Sequence, residues 1–250
     1  KCEGTRKSGD PYTSLMNSII NALSHLYLYC KWTGKSVEES RLSIRMLVQG
    51  DDNCLRHSEW TEFPWQQGMA ELGFDSEALY RQHLHEVEFC SCRLYETNEG
   101  VVFGPKPGRV LAKFGYIINP PAEVSRQSMM RGIALGLVRA TEFIPPLRAL
   151  VDRTLELTEG HAAWVARKTF TPFDEGLKMR KRHTASVEVM LNLHEQYTWD
   201  YSDQKSLEKS LSELRFGDKL PLIATKLLDR DTGGPQSIFG GWSADCPLAA

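Results

Sequence analysis

The chain has 250 residues, 41% hydrophobic and 25% charged, with a formal net charge of −2. Those values suit a globular protein of one or two domains with a sizeable core. They exclude a membrane-spanning helix, since no run approaches roughly 18 apolar residues, and a uniformly basic nucleic-acid binder, although a local basic channel still accommodates RNA. The cysteines, Cys2, Cys30, Cys54, Cys90, Cys92 and Cys246, are scattered rather than spaced as a disulfide framework, which fits a reducing compartment. The first residue is Lys1 and no signal peptide is visible, so the sequence is expected to begin inside a longer protein.

Gly4-Thr5-Arg6-Lys7-Ser8-Gly9 reads as a small, polar, basic loop. Asp10-Pro11 then reads as a helix N-cap with proline at the first helical position. Leu15, Ile19, Leu23 and Leu26 form the apolar stripe of the helix that follows. Thr13 and Asn17, four residues apart, share a different face. Loop amides and a helix N-terminus attract anions such as phosphate, and the side chains of Ser8, Thr13 and Asn17 can hydrogen-bond sugar hydroxyls. An ordinary capped amphipathic helix accounts for the same segment taken alone.

Ile44-Arg45-Met46-Leu47-Val48 is an apolar run with strand character, and Cys54-Leu55-Arg56 is a second short strand. Between them Gln49-Gly50-Asp51-Asp52-Asn53 predicts a hairpin tip carrying two adjacent carboxylates. Neighbouring acids held in a rigid place repel unless a cation joins them, and hard oxygen donors suit Mg²⁺, which often shares its site with phosphate. Average composition places Gly-Asp-Asp by chance in roughly one chain of this length in fifteen, so a polar turn with solvated acids stands beside the metal reading.

Glu71-Leu72-Gly73-Phe74 ends a helix candidate. Cys90-Ser91-Cys92 raises the question of zinc, but no second Cys/His pair has a zinc spacing; as alternating strand residues the two cysteines would share one face. Lys106, Arg109 and Lys113, separated by glycine and proline, read either as RNA phosphate contacts or as a turn with solvated charges. Arg167, Lys168, Lys178, Arg180, Lys181 and Arg182 form a denser basic patch, read as RNA backbone contact or a solvated face. From Ala122 the pattern is mostly helical, with candidates at Arg131–Phe143, Pro146–Glu159, Ser186–Tyr197 and Leu207–Leu214. Trp199, Phe239 and Trp242 read as core aromatics or stacking platforms, and Gly233-Gly234-Pro235 with Gly240-Gly241 marks a loop-rich end. The histidines show no catalytic pairing.

Ser8-Gly9, Thr13 and Asn17 together spell S-G-x3-T-x3-N, and about thirty residues later a hydrophobic strand ends in Gly50-Asp51-Asp52. This resembles motifs B and C of the palm of viral RNA-dependent RNA polymerases, most closely the tombusvirus-like and nodavirus-like enzymes of positive-strand RNA viruses. Glu71–Phe74 resembles motif D, Glu88-Phe89-Cys90-Ser91 resembles motif E, and Gly104–Leu111 resembles the segment that follows it. The resemblance covers residues 4 to 118.

The resemblance implies an α+β fold, a right-hand polymerase fragment with a partial palm (1–121) followed by a mostly helical thumb and C-terminal extension (122–250). Motif A and the fingers are expected upstream. It implies that Asp51 and Asp52 bind Mg²⁺ or Mn²⁺, that Ser8, Gly9, Thr13 and Asn17 bind the incoming nucleotide and recognise its ribose, and that Cys90, Ser91, Lys106 and Arg109 lie along the RNA. The implied reaction is template-directed addition of ribonucleotides to an RNA 3′ end by two-metal chemistry, catalysed with RNA template, primer or nascent strand, ribonucleoside triphosphates and viral replicase components as partners. The implied location is the host cytoplasm, at membrane-associated replication complexes. Two departures stand out. The motif A aspartate is absent, so residues 1–250 alone are expected to be inactive. The motif D lysine is also missing, leaving Arg81 or His83 as substitutes. The rivals are another metal-dependent phosphoryl-transfer enzyme, such as a nuclease or reverse transcriptase, which the ribose-reading set argues against, and a non-catalytic RNA-binding replicase scaffold derived from a polymerase, which the intact Gly50-Asp51-Asp52 argues against.

Overall fold

The computed structural model describes residues 12–59, 62–117, 121–164 and 182–232. The fold is α+β: antiparallel hairpins with helices against them, then a mostly helical region. The chain divides into two compact units, residues 1–90 and 91–250.

The first unit is built on a long helix and a hairpin. Helix α1 (Thr13–Thr33) ends at Gly34, whose left-handed φ of +68° lets its N–H reach the Cys30 carbonyl. Helix α2 (Val37–Ser43) opens with a reciprocal capping box between Ser36 and Glu39. Strands β1 (Ile44–Gln49) and β2 (Asp52–His57) pair antiparallel from Ile44 opposite His57 to Gln49 opposite Asp52. Helix α3 (Trp65–Glu71) stops where the sequence indicates: the Gly73 N–H bonds the Ala70 carbonyl and the Phe74 N–H the Met69 carbonyl, a Schellman termination with Gly73 at φ +86°. The core gathers Leu28, Tyr29, Ile44, Phe63, Trp65 and Met69. Trp32 stacks on Phe63 and closes over Gly68, where a Cβ would stand 2.6 Å from the indole.

The apolar stripe read for α1 does not form this core. Leu15, Ile19 and Leu23 stay exposed, and Leu26 alone of the four packs against the buried cluster. The helix instead turns a polar face, Ser18, Asn21 and His25, toward the hairpin. Asp10 and Pro11, expected to cap it, lie outside the described residues.

After a 3₁₀ turn (Leu84–Glu86) and the short strand β3 (Glu88–Phe89), the second unit begins with the antiparallel hairpin of β4 (Cys92–Thr97) and β5 (Gly100–Pro105). Its helices among the described residues are α4 (Pro107–Lys113), α5 (Arg126–Thr141), α6 (Pro145–Leu157), α7 (Val187–Tyr197), α8 (Tyr201–Glu213) and α9 (Thr225–Thr232). Ser125 and Ser186 cap α5 and α7, Asp200 caps α8, and proline begins α4 and α6. All four predicted helices are present. The one expected at Leu207 starts six residues earlier, because its first turn is a polar capping box of Asp200 and Asp203 without apolar periodicity. Trp199 is fully buried and donates its indole N–H to Gln204 at 3.3 Å, so it is a core aromatic and not a stacking platform. Phe239, Trp242, the glycine-rich end and the basic patch up to Lys181 lie outside the described residues.

A buried polar knot holds α9 in this unit. The Asp231 carboxylate accepts from the Gly108 N–H at 2.8 Å and from the Tyr197 hydroxyl at 3.0 Å, with Arg93 3.6 Å away. Burial pushes the Asp231 pKa up, against the pull of Arg93. Gly108 permits the approach, since a Cβ there would overlap the Leu227 carbonyl oxygen. Gly108→Ala is therefore expected to destabilise this unit by about 3 kcal/mol through overpacking against backbone, read as a lowered thermal midpoint; an unchanged midpoint would show that α9 is not held this way.

Candidate functional site

The register of the first hairpin leaves Gly50-Asp51 as a two-residue loop closed by Gln49 and Asp52. Gly50 has φ +65° and Asp51 is not among the residues with positive φ, the sign pattern of a type II′ turn. The turn is tighter than the five-residue tip read from sequence: Asp52 is already the first residue of β2. Space beside Gly50 is open, so glycine is required by backbone conformation rather than by crowding. Both acids are exposed. Among the described residues no basic side chain pairs with either carboxylate.

The loop backbone is tied to α1. Ser18 Oγ accepts from the Gly50 N–H at 2.7 Å while donating to the Ser14 carbonyl at 2.7 Å. Asn21 Nδ2 donates to the Gly50 carbonyl at 3.2 Å and to the Asp51 carbonyl at 2.8 Å, and its Oδ1 accepts from Asn53 at 3.1 Å. One turn on, His25 Nδ1 donates to the Asn21 carbonyl at 2.9 Å, and burial lowers the His25 pKa despite that bond. A carbonyl oxygen only accepts, so this bond puts a proton on Nδ1. Sequence reasoning missed Ser18, Asn21, His25 and Asn53. The available signal was a polar stripe, Ser14, Ser18, Asn21 and His25, at helical spacing.

A cavity of about 750 Å³ opens beside this tip, within the first unit. Asn17, Asn21 and His25 line it from α1, Asp51 and Asn53 from the hairpin, and residues 74–82 complete the lining. Tyr80 fastens that last segment through its hydroxyl on the Phe63 carbonyl. The structure thus brings three sequence-predicted residues, Asn17, Asp51 and Arg81, to one cavity. Thr13 sits on the first turn of α1 and Asp52 on β2, and neither lines it; Ser8 and Gly9 lie outside the described residues. Among the described residues β2 pairs with β1 alone, so one edge of β2 is unpaired by strand.

The family model for viral RNA-dependent RNA polymerases matches residues 1–140. This chain belongs to the viral RNA-dependent RNA polymerase family. No curated protein matches it. The family's substrates are RNA and nucleoside triphosphates. No helix among the described residues of this polymerase chain is long and apolar enough to cross a membrane.

The remaining predicted residues fall as follows. Cys90 and Ser91 both have positive φ, 50° and 61°, so they form a tight turn and Cys90 does not alternate with Cys92 on one strand face as expected. The Cys90 thiol lies 3.6 Å from Gln49 Oε1, beside the residue that closes the acid-bearing loop. In the second unit Arg109 Nη1 donates to Ser91 Oγ at 2.7 Å, and Lys106 is the residue preceding α4. Of the two substitutes for the missing lysine, Arg81 lines the cavity, while His83 stacks on His85 with ring centroids 5.3 Å apart. For a divalent cation, Asp51 and Asp52 fit in kind, as hard carboxylates without a competing cation. In number they are two, and the described residues hold no group of three or more His, Cys, Asp or Glu placed for a metal.

At the base of the same hairpin Glu59 accepts from Lys35 Nζ and the Tyr29 hydroxyl, and these bonds hold its pKa down from 4.5 to about 2. A depressed carboxylate stabilises the fold fully above its unfolded value and loses that contribution as pH falls through its folded value. The Glu59 contribution is thus present above pH 4.5 and drains toward pH 2. Denaturant midpoints measured across that range are expected to fall more steeply for the natural protein than for Glu59→Gln; parallel curves would remove Glu59 from the account.

Proposed function

We propose that Asp51 and Asp52 form part of the metal centre of an RNA-directed RNA polymerase (nucleotidyltransferase), resembling those of tombusvirus-like and nodavirus-like viruses. The single observation that carries this reading is the convergence of Asp51, on its tethered turn, with Asn17 at one cavity, inside a chain of the polymerase family. When bound, Mg²⁺ or Mn²⁺ would neutralise the triphosphate and acidify the primer 3′-hydroxyl for in-line attack on the α-phosphorus. Asp51 is the main ligand and Asp52 a secondary one.

In this reading Asn17, with Thr13 and Ser8, hydrogen-bonds the ribose of the incoming nucleotide and selects it over deoxyribose, and Gly9 joins them in binding the nucleotide. The Cys90-Ser91 turn supports the primer end, with Lys106 and Arg109 along the RNA backbone. Arg81 faces the triphosphate as a fixed positive charge, since guanidinium is too weak an acid to donate the proton that a lysine would. The cavity along the unpaired edge of β2 takes a further strand carrying the third carboxylate, from motif A. Residues 1–121 then act as palm and 122–250 as thumb, the chain working with replicase components at membranes of the host cytoplasm.

A non-catalytic, RNA-binding scaffold is the second reading, favoured by the presence of only two carboxylates at the site among the described residues. Primer extension separates the two. In the polymerase that carries these residues, Asp51→Ala is expected to reduce nucleotide incorporation by about a thousandfold or more, the scale of several kcal/mol of lost metal stabilisation. The exposed position of Asp51 predicts a thermal midpoint close to that of the parent. Residues 1–250 alone are expected to show no incorporation in the same assay. Undiminished synthesis by Asp51→Ala, or robust synthesis by residues 1–250, would contradict the proposal.

A further inference from the structure

We infer that Ser18 and Asn21 are positioning residues for the Asp51 carboxylate, acting through the backbone of the turn; the inference rests on the metal-centre reading above. Three consecutive peptide groups are anchored. Ser18 holds the one before Gly50 through the Gly50 N–H, and Asn21 holds the two that flank Asp51, through the Gly50 and Asp51 carbonyls. With both flanking peptide planes fixed, the rotation of Asp51 about its own backbone bonds is fixed too, and so is the direction in which its side chain leaves the chain.

This matters because a two-residue hairpin loop has two accessible forms. Types II′ and I′ share a positive φ at the first loop residue and differ in the sign of φ at the second. Passing between them rotates the peptide that carries the Gly50 carbonyl and would swing Asp51 to a different heading. The bond from Asn21 to that carbonyl opposes the rotation. Here Asn21 is 8% exposed and is braced from below by His25 on its carbonyl and from the side by Asn53 on its Oδ1. A pair of neighbouring acids repels itself, so without such anchoring the turn would relax to separate the charges. Groups that receive charge in a transition state are most effective when their geometry is set beforehand.

The tests are single-nucleotide incorporation by the polymerase carrying this chain, with Mg²⁺ titrated, and Mn²⁺ affinity read by calorimetry without nucleotide, for Ser18→Ala, Ser18→Thr, Asn21→Ala and Asp51→Ala; Ser18→Ala is expected to weaken Mn²⁺ binding several-fold, and unchanged Mn²⁺ affinity would overturn the inference. Ser18→Ala removes one anchor and is expected to lower kcat about tenfold, the equivalent of one hydrogen bond. The nucleotide KM should stay within about twofold while the Mg²⁺ concentration for half-maximal rate rises several-fold. Ser18→Thr keeps the hydroxyl and is expected to restore both. Asn21→Ala removes two anchors and is expected to lower kcat further; should it fail to fold, the Ser18 pair decides alone. Unchanged kcat and Mg²⁺ dependence in Ser18→Ala, or a loss confined to KM, would overturn the inference while an inactive Asp51→Ala leaves the metal-centre reading standing. An active Asp51→Ala would overturn both.

Discussion

Hydrogen bonds from Ser18 and Asn21 of α1 to the Gly50-Asp51 loop, with Ser18 Oγ accepting and Asn21 Nδ2 donating, join the two elements that make the candidate site. Much else in the first unit follows from them. They commit the polar face of α1 to the hairpin, which leaves Leu15, Ile19 and Leu23 exposed and puts Leu28 and Tyr29 into the core farther along the same helix. They bring Asn17, one turn before Asn21, to the cavity that Asp51 also borders. The aromatic cluster of Trp32, Phe63 and Trp65 and the Tyr29–Glu59–Lys35 bonds secure the opposite end of the helix–hairpin pair, so the pair is held at both ends.

The second unit solves a different problem by related means. Its apolar core is built from helices α4 to α9 around Tyr95 of β4, and α9 is fastened by a buried carboxylate rather than by apolar contact alone. A buried charge is costly unless paired and hydrogen-bonded. Asp231 meets both conditions through Arg93, Tyr197 and the Gly108 amide. Breaking one partner would therefore cost more than the bond removed.

Much of this was legible in the residues because it is written locally. The β1–β2 hairpin shows in an apolar run, a glycine and two acids; the end of α3 shows in Leu72-Gly73; α6 and α7 show in periodicity, a proline and a serine cap, whereas α5 begins at Arg126 behind its Ser125 cap, ahead of the start expected at Arg131. What stayed hidden depends on residues far apart. Ser18 and Asn21 look like ordinary polar positions on a helix until Gly50, about thirty residues on, supplies their partners. Asp231 and Arg93 are more than a hundred residues apart, and nothing near either announces the pair. The apolar stripe of α1 misled because periodicity reports that a helix has two faces without saying which one meets the core. Cys90 and Cys92 misled because strand alternation was assumed where two left-handed residues make a turn.

In the proposed function the tethered turn delivers Asp51 to a divalent cation. The most direct measurement is anomalous diffraction from Mn²⁺-soaked crystals of the polymerase that carries this chain. A manganese peak is expected about 2.1 Å from an Asp51 carboxylate oxygen, the usual distance for a hard divalent ion, with Asn21 still bonded to the Gly50 and Asp51 carbonyls. A manganese site elsewhere, with Asp51 turned away, would contradict it.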